Sequence, residues 1–258
     1  MSTILFNEIV FGPIHSRRLG SSLGVNLLPR YGKWCNFDCL YCECGFNADG
    51  KSDKSLPKAA DVRAALEDKL STIHKEGGNI DTITFSGNGE PTMHPDFPAI
   101  IDYALELRNR FFPNAKVSVL SNASRIGVPE VADALLKVDN AILKIDSAFE
   151  ETTIQIDRPQ FLYSLENLKK GLNMFRGKFV LQTMFLRGEY NGAVVDNTTE
   201  REVSAWQKLA EELEPREIMV YTIDRETPAH NLEKVSVAEM EEFTAPLVKK
   251  GYKVSVSG

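Results

Sequence analysis

Cys35-Asn36-Phe37-Asp38-Cys39-Leu40-Tyr41-Cys42 holds three of the chain's four cysteines, and Cys44 follows two residues later. Cysteines that staple a fold over long range are spread along the sequence. Crowded on one loop, they suit a metal instead. Thiolates separated by three and then two residues can hold three corners of a cubane iron–sulfur cluster, leaving a fourth iron open to a small molecule. Zinc is the first competing occupant. It would need Cys44 as a fourth ligand, and the single residue between Cys42 and Cys44 makes a closed tetrahedron awkward. Ferredoxin-like electron transfer is the second, and it usually shows two residues in both gaps and a fourth ligand.

The run lies between a short apolar stretch, residues 22–28, closed by Pro29, and a helical pattern at 57–74 in which Val62, Leu66 and Leu70 share a face. Pro57 suits a first helical turn, where its missing N–H costs nothing. Strand-like and helix-like segments then alternate. Strands are expected at 81–86, 116–121, 141–147, 179–186 and 217–223, and helices at 96–110, 129–137, 164–175, 199–213 and 237–250. Ser236 and Glu239 spell a capping box at the last helix, and 252–257 reads as a final short strand. Strands alternating with helices of roughly 10–15 residues imply βαβ units and a mainly parallel sheet, an α/β fold. About six units suit an incomplete β/α barrel or an open doubly wound sheet, and both collect their chemistry at the C-terminal ends of strands. The cysteine run, after the first strand, lies at such an end. Residues 1–258 read as a single domain with its core at about 12–224 and a C-terminal helix and strand at 236–258.

The net charge of −6 supplies no bulk basic field for nucleic acid. Arg17, Arg18, Arg30 and Lys33 nevertheless form a local basic group ahead of the cysteines. No run approaches the ~20 apolar residues of a membrane span. Residues 1–12 lack the basic region and cleavage site of a signal peptide. A cytoplasmic location is expected, where thiols stay reduced.

The strand at 81–86 runs into Ser86-Gly87-Asn88-Gly89-Glu90-Pro91-Thr92. Glycines there let backbone approach a ligand and adopt unusual dihedrals. Without a third glycine opening a helix, the run is not a dinucleotide fingerprint, and alone it is a glycine turn. In Ala141-Ile142-Leu143-Lys144-Ile145-Asp146-Ser147, alternation turns Leu143 and Ile145 toward helices and Lys144 and Asp146 inward. Inward charges need partners or a ligand. A Lys144–Asp146 ion pair without a ligand role is one solution and a bound cofactor another. Gln182 with Met184, and Met219 with Tyr221 and Ile223, share faces and read as packing.

The Cys-x3-Cys-x2-Cys run, with Tyr41 before its third cysteine and Gly-x-Gly-Glu-Pro after the next strand, resembles the radical S-adenosylmethionine (radical SAM) superfamily. The resemblance implies a partial (β/α)6 TIM-like barrel. It implies a 4Fe-4S cluster on Cys35, Cys39 and Cys42, with an open iron that chelates S-adenosylmethionine. Reductive cleavage of that cosubstrate gives a 5′-deoxyadenosyl radical, so the cofactor carries the chemistry and the protein aims it. Gly87, Asn88, Gly89, Glu90 and Pro91 are then candidates for the methionine end. Tyr41 belongs to the cofactor-binding loop, and Asn122, Asp146 and Ser147 are ribose candidates. An external electron donor of flavodoxin or ferredoxin type is implied, together with a hydrogen-donating substrate (a small molecule, peptide or RNA) and no membrane.

Gly12-Pro13-Ile14-His15-Ser16-Arg17-Arg18-Leu19-Gly20, followed by Ser22-Leu23-Gly24-Val25-Asn26, is similar to the branch grouped with the tRNA-modifying wyosine synthases. Those synthases carry extra cysteines for a second cluster, and here only Cys44 remains. As a fourth ligand Cys44 would close the open iron, so a packed thiol is expected. Arg17 and Arg18 are candidates to grip a carboxylate or phosphate. The alternatives are a glycyl-radical-enzyme activase, a tRNA-modifying enzyme, and a non-enzymatic zinc or electron-transfer module. The stretches 187–197 and 224–235 are expected to be loops shaping the substrate pocket, with Arg187, Glu189, Tyr190, Asp224 and Arg225 in contact.

Overall fold

Alternation along the strands sorts side chains into an outer layer against helices and an inner layer lining a curled half-barrel. The computed structural model describes residues 4–16, 19–49 and 54–258; Arg17 and Arg18 of the basic group lie outside the described residues. The first two strands, β1 (Val10–Ser16) and β2 (Gly20–Val25), form an antiparallel hairpin at one edge of the sheet. The chain then passes through α1 (Ala59–Lys75), β3 (Thr82–Phe85), α2 (Phe97–Phe111), β4 (Lys116–Ser121), α3 (Pro129–Lys137) and β5 (Asn140–Lys144). Two short helices follow, α4 (Glu150–Asp157) and α5 (Leu165–Leu172), before β6 (Phe179–Met184). Next come β7 (Leu186–Tyr190), β8 (Ala193–Asp196), α6 (Glu200–Leu213), β9 (Glu217–Tyr221), β10 (Asn231–Lys234), α7 (Val237–Lys249) and β11 (Val254–Ser257).

The main sheet runs β1-β2-β3-β4-β5-β6-β9-β11, with every pair after the hairpin parallel. Six crossovers therefore join seven parallel strands: the expected (β/α)6 barrel, with the C-terminal strand as an added edge. Ile83 and Phe85, Val117 and Val119, and Leu143 and Leu181 join the large core shared with the helices. Ile142, Val180 and Met219 form a small separate cluster inside the barrel, packed by Leu19 and Leu120. Trp206 on α6 is buried and donates from its indole to the outward-facing Thr183 hydroxyl at 2.9 Å. The capping box expected ahead of the last helix is present at Ser236 and Glu239.

Several elements depart from the sequence expectations. The stretches at 187–197 and 224–235 are not simple loops: β7, β8 and β10 make a separate three-stranded antiparallel sheet. Its hairpin turns at Asn191-Gly192, both at positive φ (52° and 80°), the pattern that two-residue hairpins favour. β1 was not foreseen, because Gly12 and Pro13 interrupt a run of only seven residues. Nor was α4, whose Thr152, Thr153, Ile154 and Ile156 are β-branched and poor helix signals. The helix expected at 164–175 ends as α-helix at Leu172 and finishes in a 3₁₀ turn, Asn173–Phe175. Other ends shift by a few residues, the usual uncertainty of helix and strand boundaries.

Candidate functional site

Two segments at the C-terminal end of the barrel are stitched together by main chain. Trp34 forms a parallel bridge with Gly89. Its amide donates to the Asn88 carbonyl at 2.8 Å, and the Glu90 amide donates to the Trp34 carbonyl at 3.1 Å. Gly89 has φ +137°, and a Cβ there would lie 1.9 Å from the Trp34 oxygen. Only glycine permits that approach and that dihedral together. The glycine turn thus fixes the chain entering Cys35.

On its other flank the cysteine loop pairs with the end of α4. The Asp38 amide donates to the Asp157 carbonyl at 3.0 Å, and the Leu40 amide to the Ile156 carbonyl at 2.9 Å. The loop closes with turns from Cys42 N–H to the Cys39 carbonyl (3.2 Å) and from Gly45 N–H to the Cys42 carbonyl (2.9 Å). Cys35, Cys39 and Cys42 are all half-buried free thiols on this one framework.

The surroundings act differently on the three thiols. The Phe37 amide donates to Cys35 Sγ at 3.4 Å, and Asn122 Nδ2 approaches the same sulfur at 3.7 Å. Asn122 is oriented by Asn36, whose Oδ1 accepts from it at 2.8 Å. Lys33 has a buried side chain, donates to the Gly45 carbonyl at 2.9 Å and faces Asp38 at 3.5 Å. Burial disfavours its charge, yet the thiolates of Cys42, Cys35 and Cys39, with Asp38, carry its pKa above the ordinary lysine value. Burial, with the Glu90 charge, pushes Cys35 up to about 12, and burial raises Cys39. A hydrogen bond from Cys44, aided by Lys33, brings Cys42 down to about 6 despite burial. The same contact, with burial, raises Cys44. The Cys44 sulfur lies 3.5 Å from the Gly87 carbonyl, the acceptor the geometry gives its thiol. Among the described residues no three His, Cys, Asp or Glu side chains are gathered closely enough to ligate one ion, as a compact zinc tetrahedron requires. Three thiols with N–H donors and a buried ammonium nearby, beside the carbonyl-bearing glycine turn, fit a cluster with three protein corners.

The remaining sequence candidates fall into three groups. Gly87, Asn88, Gly89, Glu90 and Pro91 stand beside the cysteine loop, but their side chains serve the scaffold. The Asn88 amide is spent on Phe6 and Pro29, all at 2.8 Å. Glu90 is buried, accepting from Thr92, Ser121 and the Asn122 amide at 2.5–2.8 Å. Burial raises its pKa against those hydrogen bonds. Pro91 opens a 3₁₀ turn, Pro91–Met93.

Asp146 joins a buried charged group with Tyr41, Lys144 and Asp157. The Tyr41 hydroxyl donates to Asp146 Oδ2 at 2.5 Å and lies 3.2 Å from Asp157. Lys144 pairs with Asp146 at 2.8 Å and also with Asp157. The expected Lys144–Asp146 ion pair is therefore present, enlarged by an aspartate from α4. Burial and the neighbouring Asp157 charge push Asp146 up to about 7, against Lys144 and Tyr41. Burial alone would lower Lys144, but the two carboxylates hold its pKa well above the ordinary value. Ser147, by contrast, is turned toward α6, where its hydroxyl donates to Glu202 at 2.6 Å.

Of the substrate candidates, Arg225 pairs with Glu43 at 2.6 Å, Arg187 with Glu239 at 2.5 Å, and the Tyr190 hydroxyl meets Arg158 at 3.2 Å. A cavity of about 400 Å³ opens beside the cysteine loop between the β1–β2 hairpin and β3, with Glu43, Ser86 and Arg225 at its rim. A larger one, about 540 Å³, lies at the opposite end of the barrel. Two ion pairs stand in its wall, Lys116 with Asp139 and Lys253 with Glu217. Sequence reasoning missed Asn36, Lys33 in its contact with thiolates, and Asp157. Lys33 and Asp157 lie outside the cysteine motif, and Asn36 occupies one of its variable positions, so each is found only through its contacts.

The profile of the radical SAM superfamily matches residues 30–200. A protein of Methanocaldococcus jannaschii named UPF0026 protein MJ1312 is 31% identical over 183 residues, covering 69% of this chain and 54% of its own length. A UPF0026 protein of Helicobacter pylori strain J99 is 32% identical over 195 residues, covering 72% and 58%. This chain thus spans little more than half of these relatives. Among solved structures, a radical SAM methyltransferase from Sphaerobacter thermophilus superimposes with TM-score 0.66 at 14% identity, over 91% of this chain and 65% of that one.

Proposed function

Because this chain belongs to the radical SAM superfamily, we propose that Cys35, Cys39 and Cys42 ligate three irons of its cluster and that the cavity beside them receives a substrate. The superfamily's 4Fe-4S cluster and S-adenosylmethionine, when bound, supply a 5′-deoxyadenosyl radical that abstracts hydrogen. The chain's own residues hold, orient and shield. The Gly87–Pro91 backbone presents carbonyls to the methionine end. Asn122, beside Cys35 Sγ, and Asp146 are the polar groups offered to the ribose, while Ser147 is occupied by Glu202. Tyr41 ties the loop to Asp146 and Asp157, so cofactor contact and loop position are coupled. The Glu43–Arg225 pair spans the rim of the cavity. An external reductant of flavodoxin or ferredoxin type supplies the electron, in a cytoplasmic setting that keeps the thiols reduced. No described helix is long and apolar enough to cross a membrane.

The observation that carries this function is the bonding of Cys44. Its thiol is turned to the Gly87 carbonyl at 3.5 Å, which supports Cys35, Cys39 and Cys42 as the three ligands with one corner open. Iron and sulfide counts after anaerobic reconstitution test the assignment. Cys44→Ala retains about four irons per chain and Cys39→Ala loses them. Loss of iron in Cys44→Ala as well would overturn the open-corner arrangement. A tRNA-modifying activity would instead show salt-sensitive tRNA binding, which the net charge of −6 disfavours.

A further inference from the structure

Six side chains, five of them on neighbouring strands, form one hydrogen-bonded chain through the inner face of the barrel. It starts at the N-terminal end, where Arg216 donates to Asn140 Oδ1 at 2.7 Å and to the Asp139 carbonyl at 2.9 Å. The guanidinium has only donors, so it fixes the Asn140 amide with oxygen toward Arg216 and nitrogen toward the barrel. Asn140 Nδ2 donates to Ser118 Oγ at 2.9 Å. Ser118 meets Thr82 at 2.9 Å, Thr82 meets Thr84 at 3.4 Å, and Thr84 meets Ser22 at 2.8 Å. Ser118 and Thr82 are buried at 0% and 2% exposure, while Ser22 and Thr84 line the cavity beside the cysteine loop.

Counting protons gives the chain a direction. Four hydroxyls share three contacts, so one hydroxyl proton is left over. Ser118 already accepts from Asn140. If the chain ran from Ser22 inward, the surplus proton would sit on Ser118, fully buried and without an acceptor, a costly arrangement. Run outward, Ser118 donates to Thr82, Thr82 to Thr84 and Thr84 to Ser22, and every buried proton is used. The surplus proton is then the Ser22 O–H or, where Ser22 donates to Thr84, the Thr84 O–H; both hydroxyls line the cavity, and the described residues offer this proton no further acceptor.

We propose that Ser22 is a substrate-positioning residue whose hydroxyl is held as a hydrogen-bond donor by Arg216 and Asn140 across the barrel, and that the substrate meets it with a carbonyl or carboxylate oxygen. This rests on the cavity being the substrate site and names the chemistry it selects. An ammonium or other donor-only group at that place would leave the Ser22 proton without an acceptor, and a site built to donate a hydrogen bond discriminates against a ligand that leaves it unpaired.

The direction can be reversed from a distance. In Asn140→Asp the carboxylate still pairs with Arg216 but accepts from Ser118, every hydroxyl turns, and Ser22 becomes an acceptor. The probes are benzoate and benzylammonium, titrated into the reconstituted full-length protein. Wild type binds benzoate more tightly than benzylammonium. Ser22→Ala loses about tenfold or more in benzoate affinity, as expected for a hydrogen bond to a charged group. Asn140→Asp loses benzoate similarly and gains benzylammonium, an exchange that a merely loosened barrel would not produce. Absence of benzoate binding in the cavity, or an unchanged probe preference in both variants, would overturn the proposal. Neutron diffraction of the deuterated wild type reads the chain without a ligand: deuterons pointing from Ser118 toward Ser22 support it, and the opposite order refutes it. Neither readout needs cosubstrate cleavage, so failure of the radical chemistry and failure of this inference are separable.

Discussion

The cysteine loop is held by different physics on its two flanks. Toward the glycine turn it is fixed chiefly by backbone: Trp34 lies against Gly89, with hydrogen bonds of 2.8 and 3.1 Å on either side and no room for a Cβ. Toward β5 and α4 it is also fixed by buried charge, with Tyr41 on Asp146 and Asp157 and both carboxylates on Lys144. Backbone stitching is sensitive to shape and indifferent to pH. A buried ionic group is sensitive to both its partners and its protonation. One flank therefore sets where the thiols stand, and the other makes that position depend on charge.

Breaking the ionic flank gives the largest expected effect. Lys144→Met leaves two buried carboxylates without their cation, a change that costs about 3–5 kcal/mol. Chemical denaturation should show this loss shrinking in acid, where the carboxylates protonate; a loss independent of pH would mean that the charges are not what the lysine supports. Breaking the stitched flank comes next. Gly89→Ala adds a Cβ against the Trp34 carbonyl at a positive φ, and strain with overpacking costs about 2–4 kcal/mol. Iron uptake after reconstitution should fall with it at every pH. Uptake like that of wild type would show that the close approach does not position the loop.

A third measurement isolates Asp146. Its pKa is raised from the ordinary aspartate value to about 7. Between those values the folded protein holds more protons than the unfolded chain, so this group's contribution falls as pH rises. The difference in unfolding free energy between wild type and Asp146→Asn should therefore decline from pH ~4 to ~7, by roughly 1–3 kcal/mol. A difference that grows with pH would contradict the assigned direction. The smallest effect is expected at the cavity rim. Arg225→Gln removes a half-exposed ion pair with Glu43, and such pairs contribute about 0–1 kcal/mol. Thermal melting should barely move, and a shift comparable to that of Gly89→Ala would make the rim part of the framework.

The barrel was legible because strand and helix periods alternate cleanly, and because inward and outward residues differ in kind. Val117 and Val119 go out to the helices while Ser118 goes in. The Asn191-Gly192 turn carried a hairpin signal inside a stretch expected to be a loop. Helix α4 carried little signal, yet its last residues hold the cysteine loop. In the site, Cys35, Cys39 and Cys42 and the Gly87–Pro91 turn stand out by spacing. Lys33, Asn36 and Asp157 do not: Lys33 meets Gly45 and Asp38 through the turns of the loop, and Asn36 with Asn122 and Asp157 with Tyr41 meet across distant sequence, so none leaves a local pattern. Local pattern also misleads: Gly45-Phe46-Asn47-Ala48-Asp49-Gly50-Lys51-Ser52 spells a phosphate-loop motif. That motif works only between a strand and a helix, and the described part, through Asp49, continues the cysteine loop in turns without a strand before it.

The most direct test of three ligating cysteines and one open corner is the product of cosubstrate cleavage. The protein is reconstituted without oxygen, given S-adenosylmethionine and a strong reductant, and assayed for 5′-deoxyadenosine. The arrangement predicts its formation in wild type and in Cys44→Ala, and none in Cys39→Ala. A fully loaded cluster that yields no 5′-deoxyadenosine, even with carboxylate- and carbonyl-bearing substrate candidates present, would contradict it.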